Sequence, residues 1–83
     1  MIGETDLMKE LLTYIAQSLV DQPDQVTVTE RDNGSETVFE LHVAPGDMGK
    51  VIGRQGKIAR EIRALMRAVA QKQGKRINVD IVD

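Results

Sequence analysis

Two glycines with two residues between them stand at the centre of the stretch Val51-Ile52-Gly53-Arg54-Gln55-Gly56-Lys57-Ile58. The chemistry this spacing suits is the binding of an anion. A glycine pair so placed makes a tight turn without side-chain bulk, and a phosphate can come directly against its main-chain N–H groups. Where such a turn feeds a helix, free amides and the positive end of the helix dipole favour the same anion. Lys57 and Arg60 fall in the first turn of a helical pattern, with Arg54 just upstream. A helix built only for stability prefers Asp or Glu there, so these cations conflict with it unless something negative is bound.

Other candidates in the chain are weaker. Gly46-Asp47-Met48-Gly49-Lys50 repeats the glycine spacing, but Asp47 would repel a phosphate, and the segment reads as the start of a short helix in which Asp47 is stabilising. Neither segment is a nucleotide-triphosphate loop, which needs four residues between its glycines and a Lys-Ser/Thr pair. Here Gly56-Lys57 is followed by Ile58. His42 stands alone, Met48 and Met66 read as core filling, and Glu36 and Glu40 share a strand face without a pocket. No nucleophile–base constellation is evident, so no enzyme is expected, and neither a metal site nor a cofactor.

Length and composition set the bounds. Eighty-three residues suffice for one small domain, residues 1–83, without a deep catalytic cavity. Cysteine is absent, which removes disulfide frameworks and thiolate zinc sites. No apolar run approaches the roughly 18 residues of a membrane span, and the N-terminus carries no basic-then-apolar signal pattern. A soluble cytoplasmic domain without membrane insertion is expected. The net charge of −2 conceals a division along the chain. Residues 1–47 hold ten acids and two bases, a balance of −8, whereas residues 48–76 hold nine bases against Glu61 alone, a balance of +8. The basic block is therefore the informative quantity for a polyanionic partner.

The elements that would position the turn can be read from periodicity. Leu7, Met8, Leu11, Leu12, Ile15, Ala16, Leu19 and Val20 predict an amphipathic helix over 5–20, capped by Thr5 or Asp6 and ended before Pro23. Alternation predicts strands over 25–31 and 37–43, joined through Asn33-Gly34 as an antiparallel hairpin. In the second, Phe39, Leu41 and Val43 oppose a wetter face of Val38, Glu40 and His42. Pro45 suits the start of a short helix over 46–52. The turn at 53–56 leads into a helix over 57–73 that would bury Ile58, Ile62, Leu65, Met66 and Val69, with Gly74 as its stop. Ile77, Val79 and Ile81 mark a last strand over 77–82.

With an apolar pair before the glycines, a basic amphipathic helix after them and two strands upstream, nearly the whole chain resembles the KH domain. In that module a GXXG loop clamps the backbone of about four nucleotides. The order α-β-β-α-α-β resembles its type II, bacterial arrangement, an α+β fold with a three-stranded mixed sheet covered on one face by helices. A chain this short is similar to the bacterial single-KH-domain RNA-binding proteins. The resemblance implies a non-catalytic protein that holds single-stranded RNA. It implies pairing with itself or with a larger KH protein of the Jag type, and roles in post-transcriptional regulation, envelope growth and division.

Carried over by position, the loop is Gly53, Arg54, Gln55 and Gly56, flanked by Ile52 and Ile58 beneath an aliphatic base groove. Lys57, Arg60, Arg63 and Arg67 would follow the phosphate chain along one side of the helix, extended by Lys50. The second strand would form the far wall, through Val38, Glu40 or His42. Only Tyr14 and Phe39 are aromatic, both at core-like positions, so sheet surfaces that stack bases on exposed rings lack their working parts. Three alternatives remain beside this reading. The glycines could form only a tight helix connection. The domain could be a dimerisation scaffold with incidental RNA contact. The strand bound could be single-stranded DNA.

Overall fold

The computed structural model describes residues 4–82. Helix α1, Glu4–Leu19, is followed by strands β1, Thr27–Asp32, and β2, Thr37–His42. Then come the short helix α2, Met48–Ile52, the long helix α3, Lys57–Lys72, and strand β3, Ile77–Val82. The sheet runs in the order β1-β2-β3. β1 and β2 are antiparallel, with Val28 opposite Leu41. β3 returns parallel to β2, with Val79 beside Phe39, after the crossover through α2 and α3. α1 lies over β1 and α3 over β3, and both helices meet each other.

Apolar periodicity explains the core. Met8, Leu12 and Ala16 of α1 and Ala59, Ile62, Met66 and Ala70 of α3 face Phe39, Leu41, Val28 and Val79 of the sheet. Val51 of α2 closes one end. The sheet is too small to cover everything the helices carry. Leu65, expected in the core, is 49% exposed, and Tyr14 is 69% exposed. Ile58 and Val69 are half-buried. Val38, expected on the wetter face, is buried instead. It sits on the central strand between Arg31 and Asn78, so neighbours on both sides cover even its outward side.

Local chemistry shifts several boundaries. Helix α1 already runs from Glu4, which places Thr5 and Asp6 inside it rather than at its cap. Pro23–Gln25 forms a single 3-10 turn, with the N–H of Val26 donating to Pro23 O at 3.2 Å, so β1 begins later than alternation suggests. The hairpin has a four-residue loop over 33–36 rather than a two-residue turn. Asn33 Oδ1 accepts the N–H groups of Ser35 and Glu36, and Asp32 Oδ1 accepts that of Gly34. These side-chain bonds offer the backbone an alternative to the tight turn.

Asp47 departs furthest from the sequence reading. It precedes α2 without capping it, and its carboxylate is buried, 2% exposed. The side chain turns instead to the N–H groups of Asp21 and Gln22, at 3.2 and 3.0 Å. Lys50 reaches Asp21 at 3.2 Å and Asp47 at 3.6 Å. The second glycine pair is therefore part of a staple that ties the end of α1 to α2.

Candidate nucleic-acid interface

The turn between α2 and α3 depends on its glycines for steric reasons. Gly53 ends α2 by donating to Gly49 O at 2.9 Å, and adopts φ 77°. A Cβ at this position would lie 2.6 Å from Ile58 Cγ1 and 2.9 Å from Ile58 N. No larger residue fits without moving the start of α3. Gly56 is left-handed, with φ 75° and ψ 15°. Between them Gln55 also takes positive φ, 57°, a conformation that costs a non-glycine residue about 1 kcal/mol or more. Arg60 offsets this by donating from Nη1 to Gln55 O at 2.7 Å.

Strain held in place by a neighbouring charge makes a preorganised loop. Its first hydrogen bond runs from Gly56 N to Gly53 O at 3.1 Å, so the N–H groups of Arg54 and Gln55 lie ahead of the turn's own ladder. α3 begins without a side-chain cap. The result is a bare bend whose amides and dipole are available to an anion. Arg54, Gln55, Lys57 and Arg60 are exposed, and Gly53, Gly56, Ile52 and Ile58 are half-buried. Among the described residues, none of Arg54, Lys57, Arg60, Arg63 and Arg67 forms an ion pair with a carboxylate.

The cations expected to form one track divide into three groups. Arg54, Lys57 and Arg60 surround the turn. Arg63 and Arg67 lean to β3, where Arg63 Nε donates to Val79 O at 3.0 Å and Arg67 Nη2 to Asn78 Oδ1 at 3.4 Å. Lys50 is engaged with Asp21 and Asp47 and does not extend the track. Its pKa is raised, first by its hydrogen bond and attraction to Asp21, which outweigh the opposing effect of burial, and to a lesser degree by Asp47. Burial also pushes the Asp47 carboxyl up, but the two amide bonds and Lys50 outweigh it and leave the pKa below 3.8.

The strand beside α3 is not the one expected to face it. β2 is the central strand and is paired on both sides, and its Glu40 is engaged by Arg31 at 3.4 Å. The strand that lies against α3 is β3. Asn78 and the buried Val79 therefore lie beside α3, and alternation alone did not single them out. The parallel return through a helical crossover is the signal that could have done so, because it lays the third strand beside the second.

A helix, a glycine-framed turn and a second helix, joining the two parallel strands of a mixed sheet, define a type II KH domain. A family model described as KhpA/KhpB, KH domain, matches residues 9–81. The chain belongs to this KhpA/KhpB family of KH-domain proteins, which is not an enzymatic one. It is 50% identical over 76 residues to the RNA-binding protein KhpA of Halalkalibacterium halodurans, spanning 92% of this chain and all of that protein. To the RNA-binding protein KhpA of Clostridium acetobutylicum it is 53% identical over 75 residues, again over the whole relative.

Among solved structures it is similar to Era of Aquifex aeolicus, with a TM-score of 0.63 and 20% identity. The match covers 90% of this chain and 29% of Era. A second Era structure, in complex with a nucleotide analogue and a segment of 16S ribosomal RNA, gives a TM-score of 0.62 at 20% identity and the same coverage. At that identity the likeness concerns the fold. Among the described residues no helix is long and apolar enough to cross a membrane.

Proposed function

We propose that this chain binds single-stranded RNA without chemistry of its own, holding about four nucleotides along the turn and α3. The loop amides and Arg54 take a phosphate, Lys57 and Arg60 neutralise the next, and Ile52 and Ile58 support the bases. Arg63 and Arg67 line the same groove from the β3 side. The observation that carries this reading is an exposed turn held in left-handed geometry, ringed by cations without carboxylate partners among the described residues. The relatives named RNA-binding proteins support it.

A grip this small is weak alone, and two linked copies bind far more tightly than one. The same proposal therefore includes action in the cytoplasm as a homodimer or with a larger Jag-type KH protein. Post-transcriptional control of envelope growth and division follows from the resemblance.

One observation favours a second reading, in which the domain is chiefly a protein-interaction scaffold. Ile15 and Leu19 of α1 and Ile58, Ile62 and Leu65 of α3 line an apolar groove, with Glu61 as its one charged member. The double substitution Arg54→Asp, Gln55→Asp separates the two. Fluorescence anisotropy with a short unstructured RNA should show at least a tenfold loss of affinity, with the thermal melt unchanged. Full retention of RNA binding would leave the scaffold as the better account.

A further inference from the structure

The open edge of β3 is already occupied by the protein's own side chains. Val79 O accepts Arg63 Nε at 3.0 Å, and Val79 N donates to Asn78 Oδ1 at 3.0 Å. Both main-chain groups of Val79 therefore point away from β2, whereas Arg76 O, just before β3, accepts Thr37 N of β2. A strand edge presents such groups as a row, and unpaired ones attract any partner with matching donors and acceptors. Here a donor and an acceptor on one residue are each held by a single bond. Arg67 reaches the same Asn78 oxygen only at 3.4 Å, near the limit of a hydrogen bond.

The position of this edge gives the arrangement its meaning. α3 rises about 1.5 Å per residue, so Arg63 lies about 10 Å along the helix from Gly56, a distance a few nucleotides span. A phosphate held at the turn therefore presents its neighbours' bases to β3. Unpaired bases carry adjacent donors and acceptors on their edges, the complement of what Val79 offers. Arg63 spends one of five guanidinium donors on Val79, so releasing that carbonyl leaves the cation free to meet a phosphate.

We propose that Arg63 and Asn78 are internal stand-ins for a nucleobase. In the free protein they close the Val79 edge, and they yield it when a base docks against β3. The proposal rests on the RNA-binding reading above. It assigns Asn78 a role no charge pattern suggests, and makes Arg63 a competitor of the base rather than a fixed phosphate clamp.

The test compares two strands of equal length, an oligoribonucleotide and its abasic counterpart, which keeps the phosphates and lacks the bases. Asn78→Val removes the stand-in acceptor without changing charge. It should raise affinity for the base-bearing strand about threefold, as expected for one hydrogen bond no longer in competition, and leave the abasic strand unchanged. Arg63→Gln lowers binding of both strands by loss of charge, yet the ratio of base-bearing to abasic affinity should still rise. Amide spectra of each variant establish that it is folded.

Three results would overturn the proposal. Equal losses on both strands with an unchanged ratio would make Arg63 a phosphate contact. No change in either variant would make the network a cover for the strand edge alone. A ratio that falls in Asn78→Val would make Asn78 itself the base contact. A wild-type protein that binds neither strand at low salt would instead refute the RNA-binding reading beneath it.

Discussion

At the scale of single residues, Gly53 carries the sharpest steric demand. Gly53→Ala brings a Cβ within 3 Å of Ile58 side-chain and main-chain atoms and forces a positive φ on alanine. A destabilisation of about 2 kcal/mol is expected, read as a lower midpoint in urea, together with loss of RNA affinity as α3 shifts. This demand was legible as a glycine spacing, since only glycine leaves the turn bare. Its cause was not, because Ile58 Cγ1 meets Gly53 only through the way the helix start folds back. Arg60 shows the same division. Its charge was evident, but its bond to Gln55 O, which holds the one non-glycine residue of positive φ among the described residues, depends on side-chain direction.

At the scale of elements, Asp47 connects parts distant in sequence. Its carboxylate accepts two amides of the segment after α1, and its lowered pKa fixes the sign of the pH effect. A carboxyl depressed in the folded state contributes stability above its ordinary value of 3.8 and loses it as pH falls through the folded value. Asp47→Asn should therefore lower the melting temperature by several degrees at neutral pH, and the difference from wild type should shrink progressively in melts recorded at pH values below 3.8. Lys50 acts oppositely. Its raised pKa keeps its contribution complete below 10.5, to be lost only as pH rises through the folded value.

The element order was readable from periodicity, as were the two long helices. The misplacements share one physical origin: period tells that a face is apolar, not how much partner surface awaits it. Leu65 and Tyr14 spill beyond a sheet of three strands, whereas Val38 is covered because its strand happens to be central. The 3-10 turn over Pro23–Gln25 came from proline and local amide bonds that compete with strand alternation.

At the scale of the whole molecule, charge separates along the chain and again in space. The carboxylates Asp21, Asp47 and Glu40 are engaged by Lys50 and Arg31, while the cations around the glycine turn have no such partners among the described residues. A net charge of −2 thus coexists with a concentrated positive site, and association with a polyanion should depend on that site rather than on the total. The linear charge map anticipated this concentration. It did not anticipate that Lys50 would be drawn into ion pairs with Asp21 and Asp47, or that Arg63 and Arg67 would hydrogen-bond to Val79 and Asn78 of β3, since contacts across the fold are invisible in a sequence.

The most direct test of an anion-holding turn is the salt dependence of RNA binding by the wild-type chain. Each phosphate neutralised on a single strand contributes a slope of about −0.7 in log affinity against log salt. Contacts with three or four phosphates predict a slope of roughly −2 to −3. A slope near zero, with affinity preserved into high salt, would contradict the account.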